Sequence, residues 1–275
     1  MDHSVYTACH HALLVRDFLE QSADRLPEKI ALVCDGKRLT FREVDALADR
    51  VAHALIDFGV KRSDRVAIFL QNSVETVAGI FGILKAGATF VVVNPTTKQE
   101  KLLYILTNCR ASALIADARS DLTGLIGAAD RSVPSLRGCI LCGAAPLAPV
   151  EGAVRCISFQ SAVEKYPARR PARTNVDLDL ACLIYTSGTT GDPKGVMSDH
   201  SNVVFAAGSI IEYLGNQESD VVINVLPLSF DYGLYQLLMT FKFGGTLVLE
   251  KSFAYPAAIL KRIEQERVTG FPGVP

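Results

Sequence analysis

The spacing of apolar positions changes period repeatedly along the chain, and each change predicts an element. "IALVCDGKRLTF" (Ile30–Phe41) is two strand-like runs around Asp35-Gly36, a dipeptide that favours a tight turn, so a hairpin is expected. Thr40 and Glu43 stand at capping-box spacing. Behind them Val44, Leu47, Ala48, Val51, Ala54 and Leu55 recur with the 3.6-residue period. That predicts a helix to about Phe58, with Gly59 at its C-terminal end.

From there strands and helices alternate. "RVAIFL" is strand-like, "SVETVAGIFGILKAG" a helix with Ser73 as N-cap and Gly87 as stop, and "TFVVVN" a strand closed by Pro95. "KQEKLLYILTNC" is a helix and "SALIA" a strand. After a weaker region, "LACLIY" is a strand, "SNVVFAAGSIIEYLG" a helix, "DVVINVL" a strand and "YGLYQLLMTFKFG" a helix. "GTLVLE" is a strand, "PAAILKRIEQER" a helix and "VTGF" the start of a strand. Near-continuous apolar strands separated by helices predict an α/β fold, with mostly parallel sheets flanked by helices. Ligands in such sheets bind beyond the carboxyl ends of strands.

Composition narrows the class. The chain has 275 residues, 49% hydrophobic and 21% charged, which is globular. A net charge of −1 gives no global field for nucleic acid or an anionic membrane. No apolar run approaches the roughly 20 residues a bilayer needs, so no integral membrane segment is expected. The N-terminus carries an early Asp and no basic n-region, and reads as a helix start holding His10 and His11. Seven scattered cysteines, several in apolar runs, fit reduced thiols in a cytoplasmic protein. Cys139 and Cys142 form a lone C-x-x-C in a strand-like run; without a second pair or a nearby His they read as core, and no metal site is assigned. The basic stretch "KYPARRPAR" reads as a solvated linker, with a subdomain boundary near 165–177. The last residues, "VTGFPGVP", stop inside an apolar segment, so the chain reads as one cut before its end.

Chemistry concentrates after "LACLIY". Thr186, Ser187, Gly188, Thr189, Thr190 and Gly191 are small donors or glycines, and Lys194 adds a cation. Glycines let backbone N–H groups approach an anion closely, hydroxyls add donors and Lys adds charge: the needs of a polyphosphate. This is not the Walker loop, in which Lys-Ser or Lys-Thr directly follows the last Gly and opens a helix. Asp192-Pro193 intervenes, so the loop is expected to reach over a phosphate tail without capping a helix.

"YTSGTTGDPKGV" resembles the signature loop of the AMP-forming adenylate ligases: acyl- and aryl-CoA synthetases, peptide-synthetase adenylation domains and luciferases. "LTFREV", "LKAGATFVVVNP", "DHSNV", "LPLSFDYG" and "GGTLVLE" follow the family's order, so the resemblance covers nearly the whole chain. It implies a partial N-terminal adenylating domain over 1–275, without the C-terminal lid. It further implies ATP with Mg2+ at the phosphate loop, attack of a carboxylate on the α-phosphorus, and capture of the acyl-adenylate by coenzyme A or a carrier protein. The family's adenine-stacking segment, ribose-binding Asp and lid Lys do not occur, so the chain is expected not to turn over alone. Phe230, Asp231 and Gly233 fall in the acyl pocket by resemblance. Phe230 replaces the His of many acyl-CoA ligases; Phe-Asp matches the amino-acid-activating relatives, but Gly233 replaces their Ser. Asp231 is therefore either a carboxylate for a substrate ammonium or an acid that suits a helix start. "LPLSFDYGLYQL" also resembles acyl-CoA ligases associated with bacterial exosortase systems.

Overall fold

The computed structural model describes residues 13–120, 133–143, 154–186 and 192–274. His10, His11 and Cys9 lie outside them. Helix α1 (Asp17–Arg25) precedes the hairpin β1 (Ile30–Cys34) and β2 (Lys37–Thr40). Asp35 and Gly36 turn it with φ of 48° and 76°, the left-handed pair that a two-residue hairpin requires. Thr40 caps α2 (Phe41–Asp57) with the reciprocal Glu43 bonds that the sequence predicts. β3 (Arg65–Phe69), α3 (Val74–Lys85) capped by Ser73, β4 (Thr89–Val92), α4 (Gln99–Asn108), β5 (Ala111–Asp117) and β6 (Gly138–Cys142) follow.

β7 (Arg155–Ser158) and α5 (Phe159–Lys165), which the apolar spacing does not predict, come next. The chain then forms β8 (Leu180–Thr186), β9 (Lys194–Asp199), α6 (His200–Leu214), β10 (Val221–Asn224), α7 (Asp231–Phe243), β11 (Thr246–Leu249) and α8 (Pro256–Glu266). "VTGF" contributes a single parallel bridge, Val222 to Gly270, where a strand start was expected.

Two sheets result. One has order β7-β6-β5-β3-β4-β8-β9, parallel except for the terminal β8–β9 pair. The other has order β10-β11-β1-β2, parallel except for the β1–β2 hairpin. Strand faces alternate, and the alternation sorts the core. Leu32, Leu247 and Leu249 of the smaller sheet and Val66, Ile68, Phe90 and Ile115 of the larger share one core with helices α1, α2, α3, α6 and α7. Val33, Ile223 and Val248 face the other way and meet Ile259 of α8. Ala67, Leu114 and Leu141 face away from the shared core and meet Leu102, Ile105 and Leu106 of α4. The order is helix, sheet, helices, sheet, helix.

Most of the stretch at 165–177 is exposed, and parts of it are held to the body of the fold. It runs as a strap in which two arginines are paired: Arg170 with Asp24 and Asp45, Arg173 with Asp17 and Glu20. Asn175 donates to the Gly87 carbonyl, and the His53 ring bonds the Arg169 carbonyl. The strap connects α5 to β8, so the strands before and after it belong to the same seven-stranded sheet. Cys139 and Cys142 lie buried on β6.

Candidate active site

β8 is the axis of the site. It pairs with β4 on one side and antiparallel with β9 on the other. At its end Thr186 stands opposite Lys194 in register, and both are exposed. Ser187, Gly188, Thr189, Thr190 and Gly191, which the sequence suggests for a polyphosphate, lie outside the described residues. Lys194 begins a strand, where the sequence pattern places it within a loop. No helix opens at this Lys, in line with the exclusion of a Walker loop. Gly195 has a packing reason: a Cβ there would sit 3.2 Å from the Tyr185 ring, which crosses the hairpin. Tyr185 is anchored by its hydroxyl, which donates to Asn108 Oδ1 at 2.5 Å.

β9 hands over to α6 through Asp199. Its carboxylate accepts the Asn202 N–H at 2.7 Å and the Ser201 hydroxyl at 2.9 Å, an N-cap that holds the carboxyl below its ordinary range. His200, the next residue, is fully buried. Its Nδ1 accepts the Val15 N–H at 3.1 Å, and burial pushes its pKa down to about 4. His200 stands within the Asp199–Val203 motif, but the motif does not signal its burial, and its partner is 185 positions away.

The second half of the site is the loop between β10 and α7. Phe230 is its last residue and occupies the N-cap position of α7; it is half exposed and supplies no side-chain cap bond. Asp231 opens the helix, so it is not the cap, though an acid in the first turn still suits the helix dipole. Asp231 is accessible at the surface, yet the mass around it raises its carboxyl above the ordinary range. It has no ion-pair partner among the described residues. It lies within electrostatic reach of Tyr235, one turn on, and of Cys182 in the middle of β8. From Cys182 to Thr186 is four residues of strand, roughly 13 Å at the usual rise. Asp231 thus acts electrostatically on the middle of the strand that ends at Thr186.

Gly233, placed in the pocket by sequence, is buried beneath its own entry loop. A Cβ there would lie 2.4 Å from the Pro227 carbonyl oxygen and 3.0 Å from Leu226. Its smallness lets the loop fold back over the first turn of α7.

This architecture is that of the N-terminal domain of adenylate-forming enzymes. The structure aligns with that of the anthranilate CoA ligase AuaEII in complex with anthranoyl-AMP (TM-score 0.84, 30% identity), over 94% of this chain and 49% of that one. It also aligns with VinN in complex with 3-methylaspartate (TM-score 0.77, 28% identity), over 95% of this chain and 66% of that one. The chain belongs to the AMP-binding enzyme family, which it matches over residues 19–275. In sequence it is 33% identical over 273 residues to tyrocidine synthase 3 of Brevibacillus parabrevis. That alignment covers 98% of this chain and 4% of the synthase, so the chain spans a small part of that relative's length. Among the described residues no helix is long and apolar enough to cross a membrane.

Proposed function

We propose that this chain carries the triphosphate grip and part of the acid pocket of an enzyme that activates a carboxylic acid as its acyl-adenylate, releasing pyrophosphate. The supporting observation is the β8–β9 hairpin: Thr186 and Lys194 face each other at its turn end, and Asp231 acts electrostatically on Cys182 of the same strand. Thr186 and Lys194 are both exposed, and no described acid pairs with Lys194, so its charge is free for phosphate. Donors and a cation fixed before reaction stabilise charge that grows on departing phosphate oxygens. Mg2+, if bound with the nucleotide, would offset part of the charge on the departing phosphates. The acyl group would then pass to a thiol, coenzyme A by likeness to the CoA ligase.

The test is ATP–pyrophosphate exchange by the full-length protein against fatty, aryl and amino acids. Lys194→Ala should slow exchange by about a hundredfold, the scale of one lost transition-state donor, with an unchanged melting temperature because Lys194 is exposed. Equal rates would reduce Lys194 to a surface residue.

A second reading has its own observation. Asp231 is an accessible carboxylate without a described cation, and Phe230 stands beside it. That pair suits an acid that also bears an ammonium group, with a carrier protein as acceptor. VinN, solved with 3-methylaspartate, and tyrocidine synthase 3 lend it support. Product analysis after adding coenzyme A or a carrier domain separates the two acceptors.

A further inference from the structure

Two buried asparagines grip the loop that carries Phe230 and Asp231. Asn224 ends β10 and is fully buried. Its Oδ1 accepts the Leu226 N–H at 3.0 Å, and its Nδ2 donates to the Gly233 carbonyl at 3.0 Å. One side chain therefore joins the start of the loop to the first turn of α7.

Asn72 arrives from the other sheet, just beyond β3, and is also buried. Its Nδ2 donates to the carbonyls of Leu226 (2.9 Å) and Glu250 (2.8 Å), and its Oδ1 accepts the Leu228 N–H at 3.0 Å. The partners fix the orientation of each amide, since a carbonyl only accepts and a backbone N–H only donates. Asn72 thus ties together the segments that leave the carboxyl ends of β3, β10 and β11, two sheets in one contact. Buried amides are costly unless fully partnered. Two of them, both bonded to the same short loop, set its shape more tightly than apolar packing would.

We propose that Asn72 and Asn224 are positioning residues for the acid-binding loop: together they fix Phe230 and Asp231 relative to the phosphate hairpin, and so govern affinity for the acid and not for ATP. This rests on the reading of that loop as part of the acid pocket.

The experiment compares Asn72→Ala and Asn224→Ser, the latter too short to reach Gly233, with the wild-type full-length protein. KM for acid and for ATP are measured separately in pyrophosphate exchange, and amide hydrogen exchange is followed at Leu226 and Leu228. KM for the acid should rise about tenfold, the effect of one to two hydrogen bonds, and KM for ATP should stay within about twofold. The Leu228 amide should lose protection in Asn72→Ala and the Leu226 amide in Asn224→Ser, while β8 keeps its own. Lower melting temperatures with both KM values unchanged, or moving in parallel, would overturn the proposal. If the wild type supports exchange with no acid, the adenylation reading fails, and loop protection alone decides: its loss upholds the clamp, and its persistence overturns it.

Discussion

Asp231 and His200 both sit where their surroundings oppose charge, and each ties that opposition to a different pH range. Burial raises the Asp231 carboxyl, so folding favours its neutral form. Stability from such a group is present below its unfolded pKa and is lost as pH rises through the folded one. At neutral pH Asp231→Asn should therefore melt slightly higher than wild type while binding an ammonium-bearing acid more weakly. A thermal melt paired with an acid titration checks this; a lower melting temperature would show that the helix dipole outweighs burial at this carboxylate. His200 runs the other way, its pKa depressed from 6.5 to about 4. The unfolded chain takes the proton first, so stability should fall as pH drops from about 6.5 towards 4, by up to about 3 kcal/mol. His200→Asn keeps an acceptor for the Val15 N–H and should flatten that slope in urea titrations at stepped pH. Asp231 is legible in sequence because its neighbours form a motif. The burial of His200 is not, because what buries it comes from the other end of the chain.

At the scale of elements, local rules reach as far as local partners do. The Asp35-Gly36 turn, the Thr40 box, the Ser73 cap and the glycine stop at Gly87 involve residues within a few positions, and each stands where the sequence puts it. β9 escapes notice because it is an edge strand whose Val196 and Met197 are exposed, so it lacks the alternation of a half-buried strand. β7 is half exposed and lacks an apolar run, and α5, with seven residues, is shorter than the window over which helical periodicity is read. The strap misleads for a different reason: its arginines find acids more than a hundred positions away. One of those acids, Asp45, meets Lys85, a fully buried cation at the end of α3, which also contacts Asp49 at 2.6 Å and Glu20 at 3.7 Å. Lys85 pins α3 to α2 and α1. Removing one member of a buried ionic cluster leaves uncompensated charge, so Lys85→Met should cost about 3–5 kcal/mol in urea unfolding. A neutral result would mean that water enters and solvates the acids.

For the whole molecule, alternation of strands and helices predicts a parallel α/β fold but not its division into two sheets. That division depends on pairings such as β1 with β11, and strand order is a long-range property that apolar spacing does not encode. What joins the sheets is the shared helical layer, and Phe241 of α7 is its hub. Its ring stacks on Phe81 of α3 with centroids 5.2 Å apart and meets Phe41 of α2 edge-on at 5.5 Å. Ser22 of α1 donates to the Phe241 carbonyl, drawing in a fourth helix. The loop with Asp231 opens the same helix, so the position of the candidate pocket is set by this packing as well as by the two asparagines. Phe241→Ala should cost about 3–5 kcal/mol, the usual effect of deleting a buried aromatic ring. Because one core serves both sheets, the loss should appear as a single cooperative transition at lower urea, with faster amide exchange in β1 and β11 and equally in β3 and β4. Far-UV circular dichroism suits the measurement, as the chain contains no Trp. Separate transitions for the two sheets would mean that the helical layer does not couple them, and that the proposed acid pocket and the β8–β9 hairpin are held by independent parts of the fold.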